Sequence, residues 1–508
     1  MSDSEPNPLR WRILAILCLC LVLVVASVSS LNVAIPSIVR ALDASQTEQL
    51  WILDSYALVF AGLLLFAGAL GDRYGRKSAL LAGLAIFGMC AIAASFAGTP
   101  SLVIAARGAM GVGAALIMPA TLSIITVVFP AEELGKAIAV WAGFAGAGGA
   151  IGLLSSGLLL EHFWWGSVFF VNVPIVLLAF VPIVRLVPNS RDEEQRPLDP
   201  LGALLSIGGL GSLVFGIING PEHGWTHPVT LAAFVAAGVL LAGFVRYEAG
   251  ASHPMLDPRL FRIRRFAVGS LTVGVAFFAM FGMFYLITLY LQFVQGYSPL
   301  GAALRMLPVA VTLIVVSPQG PRVVARFGAR AVIRAGLLIQ ASGFALMSTL
   351  EPGTSYITLV VAFVLMATGM ALLMPPCTEA IVSSLPANKA GVGSAVNVTA
   401  REVGGAIGIA LLGSLLSQGY RSAVAPVVAG LDVPTPAADA VRDSIAGATA
   451  LGPQVLEAAS VAFSDGLSLA FTVAALVGVL TAAVVSWAYP QDVTTENADL
   501  AASERTGQ

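Results

Sequence analysis

Gly68-Ala69-Leu70-Gly71-Asp72-Arg73-Tyr74-Gly75-Arg76-Lys77 sets three cations and one acid between two long apolar runs. On its N-terminal side Trp51 to Leu70 is almost wholly apolar apart from Asp54, and on its C-terminal side Ser78 to Ala97 carries no charge. This order predicts two apolar helices of membrane-spanning length joined by a tight basic turn. Gly71 and Gly75 let the backbone reverse where a side chain would clash. Arg73, Arg76 and Lys77 fall where lipid phosphates and the cytosolic excess of cations are expected.

Composition extends the reading to the whole chain. Its 508 residues are 57% hydrophobic and 11% charged, with mean hydropathy +0.90, which excludes a water-soluble globule. A net charge of −2, with the cations spread over short turns, excludes a nucleic-acid partner. Cys18, Cys20, Cys90 and Cys377 all fall in apolar runs, where a thiol behaves as a small hydrophobe, so neither a disulfide nor a cysteine metal site is expected. His162, His223, His227 and His253 lie in loops without ligand-like spacing, so no metal and no cofactor are expected.

Arg10 and Arg12 precede the first apolar run, and apolar sequence continues through Ala34 and Ile35, so the run reads as an uncleaved helix with a cytosolic N-terminus. Runs of spanning length follow at 13–35, 50–70, 79–97, 102–125, 137–160, 167–186, 200–219, 229–247, 268–294, 302–321, 331–350, 355–376, 395–417 and 466–488. Fourteen is even, so both termini are expected in the cytosol. Of the 26 Lys and Arg, 20 then fall in cytosolic turns, three inside spans (Arg107, Arg305, Arg401) and three outside (Arg40, Arg421, Arg442). That imbalance is the positive-inside signature.

The segment Arg326-Phe327-Gly328-Ala329-Arg330 echoes Arg73-Tyr74-Gly75-Arg76-Lys77, with Ala325 where Asp72 stands. Such an echo predicts two six-helix bundles related by duplication, at 1–187 and 251–490, with two additional spans between them at 188–250. The polar stretch from Pro188 to Pro200 and the basic one from Arg259 to Arg265 are the expected boundaries. Gln418 to Asp465 reads as a long external loop with a short amphipathic helix, and 491–508 as a disordered cytosolic tail.

Charges inside spans are costly, at least about 2.5 to 3.5 kcal/mol each near the bilayer centre, and so mark a bundle interior or a wet path. Asp54 shares a helical face with Ala57, Ala61, Leu64 and Gly68, a mostly small-residue stripe suited to lining a chamber; a helix-start acid at the wet interface is the plainer alternative. Arg107 in the fourth span would hold a neighbouring carboxylate charged until substrate or movement parts them, or else forms a structural ion pair. Arg401 and Glu402 open the thirteenth span and, as helix neighbours, diverge by about 100°, so they are expected to have separate partners. Gly143, Gly146, Gly148, Gly149, Gly152 and Gly157 crowd the fifth span, which at minimum predicts a close helix seam.

Gly68 to Lys77 resembles, at every defined position, the G-x-L-[GA]-D-R-x-G-R-[KR] loop of major facilitator superfamily transporters. The resemblance implies a gate loop in which Asp72 latches the cytoplasmic side shut. Arg107-Gly108-Ala109-Met110-Gly111-Val112-Gly113 resembles the family's R-x-x-Q-G-x-G, whose arginine is tied to proton coupling, with Met110 replacing the glutamine. Ala147 to Gly157, carrying Gly148, Gly149, Gly152 and Gly157, resembles the antiporter glycine helix, with Leu153 where its proline stands and Ser156 for the first glycine of its pair. With Asn32-Val33-Ala34-Ile35-Pro36, Asn172-Val173-Pro174 and His253-Pro254-Met255-Leu256-Asp257, nearly the whole chain resembles the fourteen-span drug:proton antiporters of this superfamily. Many of these carry an acid in the first span where this chain has Ser27, so the coupling role passes to Asp54, with Glu402.

The expected protein is therefore an all-α polytopic transporter of the inner (plasma) membrane with the major facilitator fold, a monomer and not an enzyme. It would export lipophilic or cationic small molecules against protons, with the gradient as its energy source, by rocking of two halves. Tyr56, Phe277, Phe281 and Phe284 are candidates for an aromatic cavity wall. An exporter of one endogenous metabolite, lipid or siderophore is the alternative within the class. A polytopic enzyme or receptor is the alternative outside it, and the scattered histidines speak against an enzyme.

Overall fold

A computed structural model describes residues 8–191, 199–251, 254, 256–385, 390–429, 435–448 and 451–490. The tail at 491–508 and most of the boundary segment 188–200 lie outside the described residues, as do His253 and Met255. In chain order the helices are α1 (Arg10–Leu42), α2 (Gln46–Tyr74), α3 (Arg76–Ser95), α4 (Pro100–Val128), α5 (Ala131–His162), α6 (Ser167–Phe170), α7 (Asn172–Leu186), α8 (Pro200–His223) and α9 (Pro228–Gly250). The second half follows with α10 (Arg264–Leu289), α11 (Pro299–Arg305), α12 (Leu307–Val316), α13 (Gly320–Phe327), α14 (Ala329–Met347), α15 (Tyr356–Ser383), α16 (Ala390–Ala429), α17 (Thr435–Asp443), α18 (Ile445–Ala448) and α19 (Pro453–Ala488).

The sequence punctuates these helices as capping chemistry requires. Ser45 and Glu48 form a reciprocal capping box at the start of α2, satisfying two backbone donors that the first turn would otherwise orphan. Thr99 before Pro100, and Ser355 before Tyr356, cap α4 and α15 through their hydroxyls. At the basic turns that echo one another, Gly75 (φ 115°) and Gly328 (φ 79°) both adopt a backbone that side chains disfavour. The duplication is visible in packing too. A Cβ on Gly83 of α3 would stand 2.8 Å from the Gly113 carbonyl of α4, and one on Gly336 of α14 would stand 2.8 Å from the Gly369 carbonyl of α15.

Among the described residues twelve helices are long and apolar enough to cross a bilayer, and thirteen once α2 is counted across its bend. α5, at the place of the fifth expected span, is a further helix of 32 residues. In the first half α2 packs on α4, α1 on α5, and α3 on α4 and α7; in the second, α10 packs on α16, α14 on α15, and α19 on α14 and α16. The pair α8 and α9 stands beside both. Ile207 of α8 seats against Gly62 and Phe215 against Trp51 in α2, while the Ser414 hydroxyl of α16 donates to the Ile217 carbonyl at 2.9 Å.

One expectation needs correction. Gln418 to Asp465 is not a long loop, because α16 continues to Ala429 and α19 begins at Pro453, with α17 and α18 between them. The polar Gln418 and Ser417 are tolerated in α16 because they meet partners there: Trp225 Nε1 donates to Gln418 Oε1 at 3.2 Å, and Ser417 lines a pocket with Gln46 and Tyr420.

Candidate functional site

Side-chain bonds join the halves on one face. On the face away from the Gly68–Lys77 loop, α10 ends in a π-helical turn, Tyr290–Val294, that turns Gln292 toward α1. There Gln292 Nε2 donates to the Val33 carbonyl at 2.9 Å. Gln46 Nε2 donates to the Tyr285 hydroxyl at 2.8 Å, and that hydroxyl donates to Gln49 Oε1 at 3.5 Å. Across the α5–α11 contact, a Cβ on Gly157 would meet Leu300 Cα at 2.8 Å. Among the described residues the side-chain bonds of the Gly68–Lys77 loop run within the first half. Asp72 Oδ1 accepts from Arg76 Nε at 2.8 Å, Arg76 donates to the Ser123 carbonyl at 3.4 Å, and Lys77 Nζ donates to the Val184 carbonyl at 2.8 Å. Arg73 lies 5.6 Å over the Tyr74 ring, and Gly68 seats against Pro119. No packed seam joins α4 or α5 to α15 or α16 among the described residues. Asp72 is thus paired inside its own loop.

Between these faces lie the charges the bundle shelters. Asp54 in α2 is 0% exposed, and neither of its carboxyl oxygens has a hydrogen-bond partner. Arg107 in α4 is buried as well, yet it does not pair with Asp54. It donates to the Ile52 carbonyl and to the Ser27 hydroxyl, each at 3.3 Å, and stacks 4.3 Å over the Tyr56 ring, whose hydroxyl donates to the Val24 carbonyl at 3.4 Å. Among the described residues this guanidinium, spread over carbonyl, hydroxyl and π-face, forms no ion pair. Ser27 of α1 is thus a direct partner of that guanidinium.

Glu402 in α16 is 8% exposed, and its Oε2 has no hydrogen-bond partner. Its neighbour Arg401 turns away to stack 4.4 Å over Phe277, which meets Phe281 edge-on at 5.6 Å. Glu402 lies within electrostatic range of Tyr56, and Asp54 within that of Tyr285, each a phenol of the opposite half. Phe284 packs, with Phe281, against the buried cluster that holds Phe277, and also against Val33, Leu153 and Ala303 where α1, α5 and α11 meet. In α5, Gly148 and Gly152 let the backbone of α1 approach at Val25 and Ala26, Gly149 faces Ser29, and Gly157 faces α11.

The sequence profile of the Major Facilitator Superfamily matches residues 17–409. The chain belongs to the major facilitator superfamily. Curated members align over nearly all of it: a multidrug efflux pump, LfrA, of Mycolicibacterium smegmatis is 36% identical, covering 96% of this chain and 98% of that protein. The methyl viologen resistance protein SmvA of Salmonella typhimurium is 35% identical over 91% and 95%, and the tetracenomycin C resistance and export protein of Streptomyces glaucescens 32% over 93% and 90%. A bacterial homolog of the human lysosomal transporter Spinster, solved inward-facing and unoccupied, shares the major facilitator fold with TM-score 0.69 at 16% identity, over 96% of this chain and 98% of that one. The chain is therefore a multi-pass membrane protein of a transporter superfamily.

Gln46, Gln49 and Gln292, which fasten the halves together, carried no sequence signal beyond being amides at span ends. The spacing of Tyr285 and Gln292, seven apart on one helical face, was the one available hint. Tyr285→Phe removes the shared hydroxyl of this clasp. With one hydrogen bond worth about 1 kcal/mol, the state open on this face should gain about 5-fold in population. Impermeant maleimide labelling of a cysteine placed at Val33 should quicken accordingly, and an unchanged rate would show that the clasp does not hold this face shut.

Proposed function

We propose that this protein is a fourteen-span drug:proton antiporter of the inner membrane, with both termini in the cytosol, acting as a monomer. The observation that carries the reading is one buried carboxyl on each half, Asp54 on α2 and Glu402 on α16, each with an oxygen that no protein group satisfies. These two helices also pack together across the seam between the halves. A carboxylate left without a donor in such a place is costly, and a proton or a cationic group of the cargo removes the cost. With the face opposite the loop clasped, cargo enters from the cytosol in this reading. Its positive or polarisable group takes the place of the protons, which leave by the same opening. Rocking then breaks the Gln46–Tyr285 and Gln292–Val33 bonds, and the acids regain protons from outside as cargo departs. Arg107 and Arg401, each resting on an aromatic face, keep the chamber from becoming an unselective cation sink.

The relatives named for multidrug efflux and for drug resistance or export support lipophilic or cationic cargo. Inverted vesicles containing the protein should expel a fluorescent cationic dye from their medium into the lumen when the lumen is made acidic. A protonophore should collapse that transport to the level of vesicles without the protein. Dye movement insensitive to the gradient would remove proton coupling.

A further inference from the structure

Of the three cations inside spans, Arg107 and Arg401 rest on Tyr56 and Phe277, but Arg305 stands apart from both. It closes α11, on the face away from the gate loop, beside the start of α15. Its guanidinium lies 3.5 Å over the Tyr297 ring and 5.6 Å from the Tyr356 ring, and the Tyr356 hydroxyl donates to the Arg305 carbonyl at 3.1 Å. Nη1 donates to the Gly301 carbonyl at 3.1 Å, while the Nε–H is buried with no hydrogen-bond partner. No carboxylate among the described residues forms an ion pair with it. A guanidinium offers five N–H donors in a fixed fork and is never neutral, so one carbonyl and two rings leave most of its capacity unused.

Exposed apolar side chains flank this site. Leu304 is 46% exposed and Ile357 is 73% exposed, on the two helices that flank the guanidinium. Tyrosine and arginine together at a span end mark the headgroup level of a bilayer. A pocket adjoining the cation shares Tyr297 and Tyr356 as walls and adds Gln295, Thr354 and Ser355.

We propose that Arg305, Tyr297 and Tyr356 form a binding site for the phosphodiester of an anionic phospholipid in the leaflet opposite the gate loop. The phosphate accepts from the free edge of the guanidinium, and the hydroxyls of a glycerol headgroup reach the pocket polar groups. Bound there, the lipid spans α11, which packs on α5 of the first half, and α15.

The test is native mass spectrometry of the full chain titrated with phosphatidylglycerol. Hydrogen bonds to a charged group are worth about 1.5–3 kcal/mol, so Arg305→Gln should weaken retention of one lipid by about 10-fold or more, with Arg305→Lys intermediate. Inorganic phosphate at the same concentration should not displace the lipid. Equal retention by wild type and Arg305→Gln would overturn the proposal, and displacement by inorganic phosphate would make this a free-anion site instead. Should Arg305→Gln fail to fold, the wild type decides: a headgroup photo-crosslinking phosphatidylglycerol should label the peptides around Arg305 and Tyr356. Label spread evenly over the other span ends would refute the site.

Discussion

Asp54→Asn is expected to cut gradient-driven efflux sharply while leaving the protein folded. The amide nearly matches the carboxyl in shape, and the site offers neither oxygen a donor, so the neutral variant fits the same cavity at no greater cost. What the variant loses is the ability to exchange a proton. Free energies that couple two ligands through one protein commonly amount to 1–3 kcal/mol, so uphill dye transport should fall by about 5–150-fold. Downhill dye flux and thermal stability should stay near wild type. Glu402→Gln is the necessary companion. If the two acids serve one pathway, the double variant will be no worse than the more impaired single one, whereas independent proton routes would give additive losses. Gradient-driven transport by Asp54→Asn equal to wild type would take Asp54 out of the mechanism.

The second large effect is expected at Gly152. A Cβ there would stand 2.5 Å from the Ala26 carbonyl oxygen and 2.8 Å from Ala26 Cα, both backbone atoms of α1 that cannot rotate aside. Gly152→Val must therefore push α5 from α1. Overpacking a close contact costs about 1–3 kcal/mol, and in a bilayer, where small residues at the interface are what bring helices together, little compensates for it. The variant should accumulate poorly and melt several degrees below wild type in detergent. Gly143→Ala, on the same helix with nothing within 4 Å, is the control and should behave as wild type. Equal melting of all three proteins would show that the α1–α5 contact is looser than described.

Much of this architecture was legible because lipid constrains sequence so tightly. A spanning helix needs an unbroken apolar run, and a turn in the headgroups needs glycines and cations, so Gly68–Lys77 and its echo at Arg326–Arg330 exposed both the spans and the duplication. The ends of α16 and α19 were not legible. Gln418 and Arg421 resemble loop residues until one knows that they meet Trp225 and Asp443. The identity of the buried acids could be read directly, since charge in an apolar run stands out. Their partners could not. Arg107 and Asp54 invite pairing on charge alone, yet the guanidinium is aimed by the register of α4 on α2 at the Ile52 carbonyl and Ser27. The clasp formed by Gln46, Tyr285 and Gln49 joins positions more than two hundred residues apart, a relation that no local pattern encodes.

The placement of α8 has a geometric consequence. Because it leans on α2 of one half and α16 of the other, the crevice between the halves is shingled over along that edge, while the edge where α5 meets α11 is left without such a cover. Viewed down the membrane normal, the two pseudo-equivalent rims are no longer alike, and a duplicated fold has been made lopsided toward its surroundings.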